Sequence, residues 1–315
     1  MKRERVRVFA PATVSNVGPG FDVLGFALHR PGDTVEAEPS DEPGVTLAGV
    51  TGDQGELPVD ARSNAASVAA GEVLRRATPA GGTGIRLWLQ KGMPLGSGLG
   101  SSGASAAAGA AAANALLDKP LNLEDVVRCA MAGERAACGS AHADNVAPSI
   151  LGGIVLIRSY EPLDLVRLPV PDGLFVTVVC PHCRVSTGEA RARLANCAFA
   201  LPDVVANTGN LGAMVAALYR NDLELLGRAV EDRLVEPLRA GMFPAYPEVR
   251  RAALDSGALG CGVSGSGPAV FAFSDRADMA AGIARAMRRA FRDRASLNSD
   301  AWVGPISREG ARVRS

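Results

Sequence analysis

Aromatic residues, histidine and net charge are all scarce in this sequence. Its 315 residues include only 2 Trp, 3 Tyr, 9 Phe and 3 His, and 33 basic side chains balance 33 acidic ones. A neutral chain lacks the long-range attraction that draws proteins to nucleic acids or anionic membranes, so both kinds of partner are disfavoured. Hydrophobic residues still make up 47% of the chain, and there are 36 glycines in addition. We therefore expect a sizeable core packed closely by small side chains.

Long apolar runs are also missing. No stretch is long enough to span a bilayer, and the charged start at residues 1–7 lacks the apolar segment of a secretory signal. The six cysteines are scattered between Cys129 and Cys261 rather than clustered in a short chain, which is typical of reduced intracellular thiols. These features predict a cytoplasmic protein without a membrane partner.

Strands and helices alternate in both halves of the chain, which predicts an α+β fold with two domains, residues 1–160 and 161–315. The boundary is placed where proline and charge accumulate, at residues 159–171. We expect loops at residues 10–21 and 140–149. Between residues 22 and 60 we expect short strands, interrupted at Pro31-Gly32-Asp33.

The strongest signal is a glycine-rich segment between a predicted strand and an alanine-rich helix. It consists of Pro94, Leu95, Gly96, Ser97, Gly98, Leu99, Gly100, Ser101 and Ser102. Glycines at alternate positions let backbone N–H groups turn toward an anion, and the helix mouth adds unpaired N–H groups and a positive dipole end. The pattern predicts a phosphate-binding loop. It is neither a Walker A loop nor a dinucleotide fingerprint. The alternative is a flexible turn before a packing helix.

This segment resembles the phosphate loop of the GHMP kinases, with Gly103 where that family usually has alanine. Four further segments resemble motifs of the same family, in the right order: residues 11–22, 142–148, 185–191 and 262–268. The resemblance covers residues 8 to about 270. It implies a ribosomal-protein-S5-like N-terminal domain, a ferredoxin-like C-terminal domain, an active site in the groove between them, and a homodimer. It also implies ATP and Mg²⁺ as cofactors.

The form of these motifs implies phosphoryl transfer from ATP to the side-chain hydroxyl of L-homoserine, a step of threonine biosynthesis. By resemblance Glu134 is the metal-binding carboxylate, with Ser102, or next Ser101, as its hydroxyl partner. The plain alternative for Glu134 is a surface carboxylate beside Arg128 and Arg135. Thr187 is placed near the γ-phosphate and Asn64 near adenine, although both also fit helix starts.

A zwitterionic substrate needs a guanidinium for its carboxylate and an oxygen acceptor for its ammonium. Arg191 and Arg239 match family positions that hold the substrate. The remaining candidates in the matching loops are Asn16, Asp22, His142, Asp144 and Gly265. The acceptor of the hydroxyl proton stays open. The lysine of mevalonate kinases is replaced by Ala12-Thr13, so either Asn145 orients the reactants or Asp144 acts as a base.

Other functions are weighed against this one. A different GHMP kinase, acting on shikimate or a sugar, would need the two arginines and the acidic loop less. Cys180-Pro181-His182-Cys183 spells the dithiol of some thiol oxidoreductases, but the predicted helix start lies several residues too late to activate Cys180. A nucleotide-binding module without catalysis would be expected to lack Glu134 or a loop serine.

Overall fold

The architecture is α+β, with strands divided between two sheets. The computed structural model describes Met1 and residues 4–78, 82–195 and 197–314. Within them, the strands are β1 (Val6–Ser15), β2 (Leu24–Ser40), β3 (Gly44–Thr51), β4 (Gly84–Gln90), β5 (Ile154–Tyr160), β6 (Leu163–Leu168), β7 (Phe175–Pro181), β8 (Gly260–Val263), β9 (Val270–Ser274), β10 (Ser299–Pro305) and β11 (Arg312–Arg314). The helices are α1 (Ala65–Ala77), α2 (Ser101–Leu116), α3 (Leu123–Cys138), α4 (Ala143–Leu151), α5 (Thr187–Ala192), α6 (Leu201–Arg220), α7 (Leu223–Ala229), α8 (Glu236–Arg239), α9 (Tyr246–Asp255) and α10 (Ala277–Ala295). No helix among the described residues combines the length and apolarity that crossing a membrane requires.

The first sheet has seven strands in the order β11-β1-β2-β4-β3, with β5 pairing β2 and β6 pairing β5. Only β3 and β4 are parallel there. The second sheet is antiparallel in the order β10-β7-β9-β8, and α10 packs against it beside α9. Strand β6 and the C-terminal β11 both return to the first sheet, so that sheet takes strands from beyond residue 160.

Two expectations about the N-terminal strands are wrong. Strand β1 continues to Ser15, so residues 10–15 are extended rather than a loop. Strand β2 also continues through Pro31-Gly32-Asp33. The pairing between β1 and β2 shifts its register between Pro11 and Thr13, so the irregular residues form a bulge instead of ending the strand.

The expected loop at residues 140–149 is also wrong, because it contains helix α4 with Pro148 inside it. Proline removes one helical N–H donor, so the carbonyl of Asp144 loses its usual partner. Strand β2 passes directly against this carbonyl at Gly25, where any Cβ would overlap the oxygen. The glycine-rich segment from residue 260 begins as strand β8.

The first core contains many alanine side chains. Helix α2 is buried on nearly all sides, and at Gly109 a Cβ would overlap the carbonyl oxygen of Ala66 on α1. A second core joins the sheets: Phe26 of β2 packs against Phe271 and Phe273 of β9, with ring centroids 6.1 and 5.7 Å apart. This shared core fixes the two sheets relative to each other and holds open a groove between them.

Candidate active site

The groove contains a cavity of about 470 Å³, lined by segments from both halves of the chain. The phosphate loop and the start of α2 form one wall, and the ends of α3 and the start of α4 form the next. Helices α5 and α8 contribute Arg191 and Arg239 from the opposite side. The motifs that are far apart in sequence therefore meet at one place.

The glycine-rich loop adopts the conformation that its composition predicts. Gly96, Gly98 and Gly100 have φ angles of 63, 76 and 67°, in the left-handed region that favours glycine. Gly100 is the N-cap of α2 and has no side chain to cap the first-turn N–H groups. These groups remain available for an anion, with the positive end of the helix dipole behind them.

Gly98 also lies at the contact with the third motif. A Cβ there would lie 2.5 Å from the carbonyl oxygen of Ser264 and 2.7 Å from that of Gly267, and the Ser264 hydroxyl donates to the Gly98 carbonyl at 2.7 Å. The loop therefore contacts the backbone of the second half of the chain so closely that there is no room for a side chain at residue 98.

Gly98→Ala is expected to raise the KM for ATP by about tenfold or more, because the strained φ costs ~1–2 kcal/mol and the methyl group displaces the loop. Steady-state kinetics at saturating acceptor measure the effect. Gly173→Ala is the matched control, since Gly173 has a similar φ of 78° but open space around its Cβ position. Equal effects on the KM for ATP in both variants would contradict the prediction.

Unsatisfied polar atoms converge on this cavity. The described residues include ten buried side-chain polar atoms without a hydrogen-bond partner, and six belong to residues lining the cavity. They are Ser97 Oγ, Ser101 Oγ, Glu134 Oε2, Asp144 Oδ1, Arg191 Nε and Arg239 Nε. Because a buried polar group without a partner is costly, this set indicates that a bound ligand carrying both charges completes the site.

The acidic part of the site lies at the end of α3. Glu134 is 3% exposed, and its Oε1 lies 3.3 Å from His142 Nδ1, which leaves Oε2 free. Gly133 explains this burial, because a Cβ there would lie 2.9 Å from Cβ of Ala69, so α3 approaches α1 closely. The Ser102 hydroxyl lies 3.2 Å from Cys138 Sγ, one turn beyond Glu134. Glu134 is thus not a surface carboxylate.

These groups fit a magnesium ion. Mg²⁺ prefers hard oxygen ligands and takes few from protein, and a free carboxylate oxygen beside serine hydroxyls supplies that kind of ligand. Among the described residues, no three His, Cys, Asp or Glu side chains could hold a metal by themselves. Phosphate oxygens and water would have to complete the shell.

The basic part of the site lies opposite. One Arg191 nitrogen donates to both carboxylate oxygens of Asp22, at 2.8 and 2.9 Å, and lies 3.0 Å from His142 Nε2. Since guanidinium only donates, His142 Nε2 accepts, and its Nδ1–H points to Glu134. Arg239 is 5% exposed and donates to the carbonyl of Gly265 at 2.6 Å. Both guanidiniums lie over the Phe21 ring, at 5.7 and 5.0 Å from its centroid.

Asp144 is the carboxylate most strongly affected by its surroundings. It is 1% exposed, at the first turn of α4. Burial, together with the negative charge of Asp22, raises the pKa of Asp144 to about 7. A carboxyl in this state changes its charge near neutral pH, so its ionisation depends on whether a cation is bound beside it.

Two family models match the sequence: the N-terminal domain of the GHMP kinases over residues 64–153 and their C-terminal domain over residues 214–293. The chain belongs to the GHMP kinases. The homoserine kinase of Chlorobium phaeovibrioides is 49% identical over 98% of this chain and 99% of its own length. That of Chloroherpeton thalassium is 46% identical, with the same coverage of each chain.

Solved structures agree with this assignment. The homoserine kinase from Cytophaga hutchinsonii superposes with a TM-score of 0.95 at 47% identity, covering 100% of this chain and 98% of its own. The L. major mevalonate kinase reaches a TM-score of 0.73 at 16% identity, covering 98% and 99%, and shows the fold alone. The predicted α+β fold with N- and C-terminal GHMP kinase domains is therefore confirmed.

Most residues expected in the site of this GHMP kinase do line the cavity. Asn16 supports Asp22, whose N–H donates to Asn16 Oδ1 at 2.8 Å. Asn145 Oδ1 accepts from the Thr13 hydroxyl at 3.0 Å. Thr187 starts α5 and its hydroxyl lies 3.4 Å from that of Ser266. Each of the three candidates, Asn16, Asn145 and Thr187, faces the cavity.

Two expected phosphate or nucleotide residues, Asn64 and Leu99, are used at least partly by the fold, whereas Pro94 is exposed. Asn64 caps α1 and donates to the carbonyl of Pro58, so capping accounts for much of its hydrogen bonding. Pro94 and Leu99 are absent from the lining; Leu99 is fully buried in the core that joins the sheets. Gly103 is close-packed instead, since a Cβ there would lie 3.1 Å from Cβ of Asn145.

Sequence reasoning missed Lys91 and Ser105, which also line the cavity, and their partner Asp33. Lys91 directly follows the apolar strand β4, and Asp33 lies in β2, where it pairs with Ala10 of β1. A charged residue at the end of a buried strand, directly before a phosphate loop, was the available signal. Its partner could not be found, because the separation of 58 residues has no local pattern.

Proposed function

We propose that this GHMP kinase is a homoserine kinase that transfers the γ-phosphoryl group of ATP to the side-chain hydroxyl of L-homoserine, giving O-phospho-L-homoserine for threonine biosynthesis. The observation that carries the proposal is that two arginines and a buried carboxylate line the same cavity beside the phosphate loop. Arg191 and Arg239 offer free Nε donors, and Asp144 offers a free Oδ1. A molecule carrying one carboxylate and one ammonium satisfies all three.

The phosphates of ATP bind at the N–H groups of residues 96–102, where glycines allow close approach. Glu134 and Ser102, with Ser101 adjacent, would hold the Mg²⁺. The metal supplies neutralisation of the charge on the β- and γ-phosphates. Thr187, from the opposite wall, contacts the γ-phosphate, and Asn64 borders the adenine end of the cavity.

The acceptor is oriented by charge at both ends. The guanidiniums of Arg191 and Arg239 bind its carboxylate, and Asp144 accepts its ammonium group, with Asp22 and Asn16 behind. His142 bridges Arg191 and Glu134, so it couples the acceptor side to the metal side. Because phosphoryl transfer depends mainly on positioning and charge neutralisation, these contacts supply most of what the chain contributes.

Asn145 orients the nucleophile. Its Oδ1 already accepts from Thr13, which leaves its amide N–H groups as donors to the hydroxyl or to a phosphate oxygen. The hydroxyl proton then passes to the γ-phosphate itself. Asp144, engaged with the ammonium group, is not required as a base.

We also propose domains of residues 1–160 and 161–315, with β6 and β11 of the second domain completing the first sheet, and a cytoplasmic homodimer. Static light scattering during size-exclusion chromatography tests the dimer: a mass of one 32.4 kDa chain would contradict it.

ADP release with Mg-ATP tests the function, with homoserine, threonine, shikimate, mevalonate and galactose as acceptors. We expect turnover with homoserine far above that with the others. Turnover with a different alcohol and none with homoserine would favour the second candidate, a kinase of another small alcohol. The charge pairing opposes that candidate, because shikimate and sugars lack an ammonium group and would leave Asp144 unpaired.

The thiol oxidoreductase alternative has little support. Cys180 is 2% exposed at the end of β7, and burial raises the pKa of its thiol to about 12. Reactive thiols have a lowered pKa and partial exposure. The helix that could activate it, α5, begins only at Thr187.

The pH dependence of catalysis should follow Asp144. Its raised pKa, about 7, means that the carboxyl is protonated below neutral pH and cannot accept the ammonium of homoserine. We expect kcat/KM for homoserine to rise with pH through about 7 and then level off. Asp144→Asn should lower kcat/KM by about a hundredfold and remove this rise. Asp164→Asn is the control, because Asp164 is half-buried, pairs with Arg158 and does not line the cavity. A rise that persists in Asp144→Asn would assign the pH dependence to another group.

A further inference from the structure

A buried ion pair lies beneath the phosphate loop. Lys91 Nζ and the carboxylate of Asp33 are in direct contact, and their side chains are only 1% and 0% exposed. Lys91 lies between β4 and the loop, whereas Asp33 lies in β2, where it pairs with Ala10 of β1. No motif of the sequence drew attention to this pair, and the proposed transfer of phosphate does not use it.

The pair is part of a closed hydrogen-bond network. Besides Asp33, Lys91 Nζ donates to the Ser101 carbonyl and to the Ser105 hydroxyl, each at 2.9 Å. This gives each of the three ammonium protons an acceptor. The Ser105 hydroxyl donates to Asp33 Oδ2 at 2.7 Å, and the Gly92 N–H donates to Asp33 Oδ1 at 3.0 Å.

These contacts tie the two ends of the phosphate loop together. Lys91 and Gly92 precede the loop, while Ser101 and Ser105 lie one turn apart at the start of α2. One carboxylate and one ammonium thus fix the point where the loop leaves β4 and the point where it enters α2. The intervening chain includes three glycines with positive φ, which restrain the backbone less than other residues do.

The energetics favour a geometric role. A buried ion pair gains little net stability over a well-packed apolar pair, because desolvation offsets the attraction. A buried ion pair does fix the relative positions of its two side chains, because separating them would leave each charge buried without a partner. Here the groups so placed are the backbone N–H donors at the mouth of α2.

We propose that Lys91, Asp33 and Ser105 are positioning residues that hold the loop N–H groups in the geometry that binds the nucleotide phosphates. The inference rests on the proposed function, because it assumes that phosphates bind at this loop. It predicts a selective loss of nucleotide affinity when the network is weakened, with acceptor affinity retained.

Ser105→Ala tests the proposal, because it removes one donor to Asp33 and one acceptor for Lys91 without leaving either charge unpaired. We expect the Kd for a non-hydrolysable ATP analogue, measured by titration calorimetry with Mg²⁺, to rise about tenfold, as for the loss of a hydrogen bond to a charged group. The KM for ATP should rise in parallel, and the KM for homoserine should stay unchanged. If Asp33→Asn folds, it should raise the Kd for the ATP analogue more than Ser105→Ala does. If it does not fold, the test rests on Ser105→Ala alone.

Thr177→Val is the matched control. Thr177 lies on β7 of the second sheet and does not line the cavity. Its buried hydroxyl donates to the carbonyl of Ala280 on α10 at 2.9 Å. It should lower the melting temperature as much as Ser105→Ala does, but leave the nucleotide Kd unchanged. An unchanged nucleotide Kd in Ser105→Ala, or an equal rise in both variants or for both substrates, would overturn the proposal. Absence of analogue binding by the wild-type chain would instead overturn the proposed function, so the two failures are distinguishable.

Discussion

Glu134→Ala is expected to lower kcat by about a thousandfold, because it removes the buried carboxylate that we propose as the Mg²⁺ ligand at the phosphate loop. The remaining activity should need a higher Mg²⁺ concentration for half-saturation. Titrating ADP release with Mg²⁺ at saturating ATP and homoserine measures both effects. The structural reason is that Glu134 Oε2 is buried without a hydrogen-bond partner among the described residues, so this oxygen is free to bind a cation.

Glu124→Ala on the same helix is the control, since Glu124 is exposed and pairs only with Arg128. It should retain wild-type kinetics. If Glu134→Ala keeps most of the wild-type kcat and the same Mg²⁺ dependence, Glu134 does not hold the metal, and its contact with His142 is its main role.

Arg239→Leu is expected to raise the KM for homoserine by about a hundredfold or more while leaving the KM for ATP near its wild-type value. Removing a buried guanidinium from a charged ligand has a cost of ~2–5 kcal/mol, part of which comes from the unpaired carboxylate left behind. Initial rates with each substrate varied in turn measure the two constants.

The exposed Arg285→Leu serves as the control for the loss of one positive charge. A parallel rise in both KM values of Arg239→Leu would show that the variant disturbs the groove as a whole. In that case the hydrogen bond to the Gly265 carbonyl, which helps to hold the third motif, would be the dominant contribution of Arg239.

The sequence predicts the local features of this fold well. Local signals mark the limits of β4 and α3: apolar residues alternate along β4, and α3 begins after Asn122, whose side chain accepts from the Asp125 N–H. The glycine spacing of the phosphate loop also gives its conformation. In each case neighbouring residues determine the outcome.

The errors occur where distant contacts override local signals. Pro31 and Pro148 usually end a strand or a helix, yet β2 and α4 continue through them. The bulge in β2 accommodates Pro31, and Gly25 packs against the Asp144 carbonyl that Pro148 leaves without its helical donor. The Lys91–Asp33 pair depends on how β2 and β4 pair in the sheet, which the two sequences do not specify. The unpartnered donors of Arg191 and Arg239 likewise become apparent only when the two sheets face each other.

The alanine-rich helix α2 limits where this scaffold can change. Most of its residues are Ala or Gly, and at Gly109 the backbone of α1 already lies against it, so its buried residues cannot grow without displacing a neighbouring element. The nucleotide half of the groove is therefore closed to remodelling by substitution. The acceptor half is built from long side chains on short helices, which can be exchanged singly. A change of acceptor in this architecture would start at α5 and α8 and leave the ATP half unaltered.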